Sequence, residues 1–299
     1  MTGESFRCGF VAVVGRPNVG KSTLINALVG EKVSIVTAKP QTTRHRILGV
    51  YSADDSQIVF VDTPGLHRSA GKAMNKLMNR TAVSALSDAD LILFVTEAGR
   101  FTDEDGDVLE RIRRSRAPAI ALLNKVDTVH PREAVLAALQ AMSERHEFAE
   151  LIPASAKTGH NLDRLLETLP AFLPESPPYF PEEMRTDRNR EFRAAETIRE
   201  KLTLNLHEEL PYGLTVQIER YAESEGNLEI DAIIWVERDS QKGIVVGKGG
   251  ARLKAIGRAA RLELKEQLGR PVHVGLWVKV RENWANSDKD LQNLGFDPV

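Results

Sequence analysis

A short apolar run, residues 10–14, breaks at a glycine, and the chain resumes at residues 23–29 as an apolar stretch with helical character. Between them stand Gly15, Arg16, Pro17, Asn18, Val19, Gly20, Lys21 and Ser22, with Thr23 opening the helical stretch. A strand that turns into a helix through two glycines, with a lysine and a hydroxyl at the turn, is the setting of a phosphate-binding loop. Glycine lets backbone N–H groups point at phosphate oxygens, and the helix N-terminus adds partial positive charge. Lys21 would then reach the terminal phosphates, and the Ser22 hydroxyl would ligate Mg²⁺. The bare pattern arises by chance in about one chain per hundred of this length. A plain glycine turn is the alternative reading.

The loop also constrains the sheet around it. Apolar strand candidates at residues 10–14, 58–61, 91–95, 120–123 and 151–152 alternate with amphipathic helical stretches. That order predicts an α/β P-loop domain over residues 1–173, a mostly parallel sheet with helices on both faces. Pro174, Pro177, Pro178 and Pro181 then remove backbone donors and stop helices, so residues 174–186 read as a proline-rich linker. Next come a helix at 190–206, strands near 215–221 and 228–236, a helical region, and a strand near 272–280. This second unit, residues 187–285, reads as α+β, and residues 286–299 form a tail with no legible pattern. With 299 residues, 42% of them hydrophobic, the chain can bury two cores.

Asn124, Lys125, Val126 and Asp127 follow the run at 120–123. A carboxylate at Asp127 can accept from guanine N1–H and from its exocyclic amine, a donor pair that adenine lacks at that edge. GTP and GDP are therefore expected rather than ATP. Ser155, Ala156 and Lys157 follow the last strand candidate, where a backbone N–H could donate to the guanine carbonyl. Asp62, Thr63, Pro64 and Gly65 end the strand at 58–61, so Asp62 would hold Mg²⁺ through water and the Gly65 N–H would face the γ-phosphate. Gln41, Thr42, Thr43, Arg44 and His45 occupy the loop after the first helix. Thr43 is the preferred Mg²⁺ ligand there and Thr42 the alternative, while Arg44 and His45 could be mechanistic but on a polar loop are expected to be solvated. After Gly65 comes Leu66, which cannot hydrogen-bond an attacking water, so hydrolysis needs other groups and slow intrinsic turnover is expected.

Net charge is −2, but its distribution is uneven. Residues 242–281 hold ten Lys and Arg against Glu263 and Glu266, or +8, which leaves −10 on the remainder. Within that basic segment lie Gly247, Lys248, Gly249 and Gly250, opening a helix at 251–268. Leu253, Ile256, Ala260, Leu264 and Leu268 recur at helical spacing, while Lys254, Arg258, Arg261 and Lys265 form a stripe about 110° away at ~100° per residue. Two glycine ends let a sugar–phosphate backbone approach closely, and Lys248, Arg252, Lys254, Arg258 and Arg261 supply positive potential, which fits single-stranded RNA. A solvated basic helix is the competing reading. Trp277 and Trp284 could stack on bases, although Trp277 lies in an apolar strand and is expected in the core. The single cysteine, Cys8, excludes an internal disulfide framework and fits a reducing compartment. No apolar run approaches the ~18 residues of a membrane span, so a cytoplasmic protein is expected.

Taken together, the segments at 15–22, 41–45 and 62–67 resemble the Era family of bacterial GTPases, within the translation-factor-related class, and the likeness covers essentially the whole chain. The order helix, two strands, Gly-x-x-Gly helix and strand, with Leu210, Pro211, Tyr212 and Gly213 before the first strand, resembles that family's type II KH domain. The resemblance implies a GTPase that binds the 3′ end of small-subunit (16S) ribosomal RNA and acts in maturation of the small subunit, as a monomer. Asn18 matches the asparagine with which related GTPases hold potassium, making K⁺ a second candidate ion beside Mg²⁺. Peripheral association with the cytoplasmic face of the inner membrane is implied by the resemblance alone. An RNA chaperone or membrane-associated scaffold with a structural nucleotide site is the alternative function.

Overall fold

The computed structural model of the protein describes residues 5–65, 73–224 and 226–296. Its contacts form two compact units, and the chain passes from the first to the second between Asp187 and Arg188. In the first unit the strands are β1 (Arg7–Val14), β2 (Ile47–Ser52), β3 (Ser56–Asp62), β4 (Leu91–Glu97), β5 (Ala119–Asn124) and β6 (Glu150–Pro153). They form one sheet in the order β2-β3-β1-β4-β5-β6, in which only β2 runs antiparallel to its neighbour. Helices α1 (Lys21–Val29), α2 (Ala73–Ser87), α3 (Asp103–Ile112), α4 (Glu133–Ser143) and α5 (Leu162–Thr168) connect the strands. Separate apolar clusters, one around Val11, Leu24 and Phe60 and another around Ile92, Phe94 and Leu109, explain why these strands read as continuous apolar runs.

Strand β2 has no counterpart in the sequence reading, and its composition shows why. Gly49 interrupts its apolar run, yet a side chain there would force α1 to shift: a Cβ would lie 2.8 Å from Ile25 Cγ2 and 3.0 Å from Val29 Cγ2. The glycine admits the helix to the sheet while erasing the strand's signature. The outer edge of β2 is covered by the chain at 185–187: Val50 N donates to Arg185 O at 2.9 Å and Leu48 N to Asp187 Oδ1 at 2.9 Å. Residues 174–186 therefore pack along the sheet as a strap. Cys8 N donates to Pro174 O, and Gln57 accepts from the Tyr179 and Phe180 N–H groups at 2.9 and 3.0 Å. Few donors remain among these prolines, and Gln57 and the strands satisfy several of them.

The second unit contains α6 (Arg190–Asn205), β7 (Leu214–Ser224), β8 (Asn227–Val236), α7 (Asp239–Val246), α8 (Ala251–Leu268), β9 (Val272–Val280) and α9 (Asp288–Asn293). Its sheet is β7-β8-β9, with β7 antiparallel and β9 parallel to β8. Ile198 and Leu202 of α6 and Ile256, Ala260 and Leu264 of α8 pack with Ile230, Ala232 and Ile234 of β8.

Both tryptophan expectations are reversed. Trp277 is 48% exposed, whereas Trp284 is fully buried, with its ring centroid 6.2 Å from that of Phe296. On β9 the apolar residues alternate from Val272 to Val280, which puts Trp277 on the opposite, polar face with His273 and Lys279. Residues 287–296 are folded as well: Ser287 caps α9 by accepting from Asp290 N, and Leu291 and Phe296 are buried. No helix among the described residues is long and apolar enough to cross a membrane.

Candidate functional site

The sheet order reverses at β1, which lies between β3 and β4, and loops leaving the ends of β1, β3 and β5 gather at that crevice. Val19, buried in the core, anchors the loop between β1 and α1. A cavity of about 60 Å³ is lined by Pro17, Asn18, Gly20, Lys21, Ser22 and Thr23, by Gln41, Thr42 and Thr43, and by Gly65. Ile35, Val36, Thr37 and Lys39 complete its wall. The sequence reading missed these four because they belong to an irregular loop with no spacing signal.

Lys21 is buried and donates from Nζ to Gly15 O at 2.8 Å and Arg16 O at 3.0 Å. Burial above all, with the Arg16 charge adding to it against Asp62 and Asp105, pulls its ammonium down to about 8. Ser22 Oγ lies 2.9 Å from Thr43 Oγ1 and donates to Asp62 Oδ2 at 2.9 Å, while Thr43 Oγ1 is 3.4 Å from the same oxygen. Thr42 points elsewhere, donating to Lys39 O at 2.7 Å. Burial pushes the Asp62 carboxyl up, opposed by the charge of Lys21 and by the hydroxyls of Ser34, Ser22 and Thr43. The second Asp62 oxygen, Oδ1, is buried with no hydrogen-bond partner. Hard oxygen donors gathered at one oxygen of a buried carboxylate, whose other oxygen is unsatisfied, fit a small divalent cation such as Mg²⁺. Arg44 is buried at 3% exposure instead of solvated, because β2 begins only at Ile47 and draws the end of its loop into the domain.

Asn124 bridges the loops. Its Nδ2 donates to Val19 O at 2.8 Å, and its Oδ1 accepts from Ala156 N at 2.9 Å. This bridge requires Gly20, whose φ is +102° and where a Cβ would stand 2.4 Å from Asn124 Nδ2. Asp127 accepts from Ser155 Oγ at 2.6 Å, while Lys157 is exposed. Thr63 Oγ1 donates to Val13 O, and Pro64 is buried. Arg16 turns to Glu97 and Asp105, two carboxylates that carried no motif signal. Leu66 lies outside the described residues.

In the second unit, Gly247, Gly249 and Gly250 all have positive φ, so the turn between α7 and α8 is one that L side chains rarely adopt. Gly250 caps α8, leaving N–H groups at the helix start for an anion. Lys254, Arg258, Arg261 and Lys265 are exposed along α8, on a separate face from its buried residues. Arg252 is tied to the loop, donating to Ile244 O at 2.6 Å, and Lys248 sits in the turn itself.

Comparison with known proteins places these features in one family. Residues 10–125 match the family of 50S ribosome-binding GTPases and residues 209–285 match the KH domain. The chain is 47% identical over 296 residues to the GTPase Era of Vibrio parahaemolyticus, covering 98% of this chain and 92% of that protein. It is 46% identical over 290 residues to the GTPase Era of Marinobacter nauticus, covering 97% and 95%. The crystal structure of Aquifex aeolicus Era bound to GDP·AlF₄⁻ superposes with a TM-score of 0.93 at 39% identity, over 97% of this chain and 99% of that one. A structure of Era in complex with MgGDPNP and nucleotides 1506–1542 of 16S ribosomal RNA matches with the same TM-score, identity and coverage.

Proposed function

The chain belongs to the Era family of GTPases, and on that footing we propose that it is a switch in assembly of the small ribosomal subunit. GTP binding and hydrolysis in the first unit would set the state in which the KH domain holds the 3′ end of 16S ribosomal RNA, the kind of RNA bound by a structural relative. The convergence of Ser22, Thr43 and Asp62 beside the phosphate loop is the observation that carries this reading. Ser22, Thr43 and Asp62 would hold Mg²⁺, which when bound neutralises charge developing on the phosphates. Lys21 and the loop N–H groups would orient the triphosphate, and Thr43 would respond to the third phosphate. Asn124 would keep the phosphate and base loops at a fixed spacing. Potassium at Asn18, a monomeric state and peripheral membrane attachment belong to the same reading and rest on the family resemblance.

The direct test is GTP hydrolysis by the purified chain, with and without an oligonucleotide of the 16S 3′ end. Turnover that depends on Mg²⁺ and changes with the RNA is expected; absence of turnover under both conditions would overturn the switch. For Asp127→Asn, guanine preference should fall by about 1–3 kcal/mol, because a charged acceptor of two donors is lost. Xanthine nucleotides should regain binding to that variant, and an equal loss for every nucleotide would refute the assignment. For Lys248→Ala and Arg258→Ala, binding of the oligonucleotide should weaken, with the salt slope reduced by about one per contacted phosphate. An unchanged slope would return this helix face to simple solvation.

A further inference from the structure

Arg16 lies in the phosphate loop, yet its guanidinium is held by two carboxylates from other elements. Its Nε donates to Asp105 Oδ2 at 3.0 Å, and its Nη2 donates to Glu97 Oε2 at 2.7 Å. The Arg16 side chain is 9% exposed, Asp105 is fully buried and Glu97 is 23% exposed, so this is an inner network with little water. Asp105 is committed to its own helix as well, accepting from Thr102 N and Oγ1 at 2.9 Å each. Glu97 is committed elsewhere: the oxygen that receives Arg16 also lies 3.5 Å from Nζ of Lys125.

Glu97 stands at the end of β4, in register with Asn124 of β5, and Ala98 N donates to Asn124 O at 2.8 Å. The strand end is therefore fixed to the base-recognition loop by backbone, while the Glu97 side chain reaches the phosphate loop. Burial pushes the Glu97 carboxyl up, but its bond to Arg16 and the charge of Lys125 outweigh that and hold it below the usual range. Without an anion between them, Arg16 and Lys125 would be two neighbouring cations with, among the described residues, only Asp105 to balance one of them.

We infer that Glu97 is a positioning residue that locks the phosphate loop to the guanine loop through Arg16 and Lys125, so that nucleotide release requires the two loops to part together. The inference rests on the GTP-site reading above. Asn124 makes a second, neutral tie between the same loops, so loss of Glu97 should loosen the site without dismantling it. The effect belongs to release, since a charge pair broken inside a site changes dissociation more than encounter.

The experiment follows fluorescent GDP leaving the full-length chain in Mg²⁺, for wild type, Glu97→Gln, Lys125→Met and the double variant, alongside single-turnover hydrolysis. Glu97→Gln should speed release roughly tenfold while single-turnover hydrolysis changes less than about twofold. In the double variant the acceleration should fall short of the product of the two single effects, because both remove the same link. An unchanged release rate in Glu97→Gln, or effects that multiply in full, would overturn the inference, as would release and hydrolysis altered in proportion. Should Glu97→Gln not fold, Glu97→Asp keeps the charge, shortens its reach and carries the same comparison. A wild-type chain that retains ADP as well as GDP would instead remove the GTP-site reading, and this inference with it.

Discussion

Replacing Asp62 by asparagine should lower GTP turnover on the order of 10²–10³-fold and flatten its dependence on Mg²⁺, the loss expected when one preorganised charge-stabilising group leaves a phosphoryl-transfer site. The substitution keeps the shape of the side chain and its contact with Ser22 but removes the negative charge. In the native chain that charge is buried at 0% exposure with one oxygen unsatisfied, a costly arrangement unless something cationic completes it. The check is a titration of hydrolysis and nucleotide affinity against Mg²⁺ for both proteins. Equal Mg²⁺ dependence in the two would remove Asp62 from the metal site, whatever happened to the rate.

Truncating Trp284 to alanine should cost about 3–5 kcal/mol, the range for emptying a fully buried aromatic position. Trp284 is fully buried with Phe296 against its ring, and Leu291 is buried in the same segment. Its indole N–H also donates to Gly213 O at 3.4 Å, tying the C-terminal segment to the start of β7. Urea denaturation should show the transition of the second unit moving to much lower denaturant, while GDP affinity of the first unit stays the same. For Trp277→Ala the shift should be under about 1 kcal/mol, since that ring is half exposed. Comparable losses for the two variants would contradict the burial pattern.

The two tryptophans also mark where sequence reasoning stopped. Hydrophobicity alone gave Trp277 to the core because its neighbours are apolar, whereas the two-residue period of a strand assigns it to the other face. Trp284 sits in an irregular turn, and no period reveals what α9 covers. Strand β2 was illegible for a related reason: Gly49 is chosen for the approach of α1, a contact between distant parts of the chain, and it weakens the local pattern by which strands are recognised.

What the sequence determined by itself was everything governed by short-range chemistry. The turn from strand to helix at residues 15–22, the bounds of α8 and β9, the basic stripe on α8 and the spacing of the nucleotide motifs follow from propensity, periodicity and the few residue types able to bind phosphate and guanine. Tertiary structure alone decided which hydroxyl stands beside Asp62, that the proline-rich stretch is a strap along the sheet, and that Arg16 and Lys125 share the carboxylate of Glu97. Those outcomes depend on distances between residues far apart in the chain. Local pattern carries no record of such distances, because ion pairs and packing select for geometry in space and leave residue spacing free.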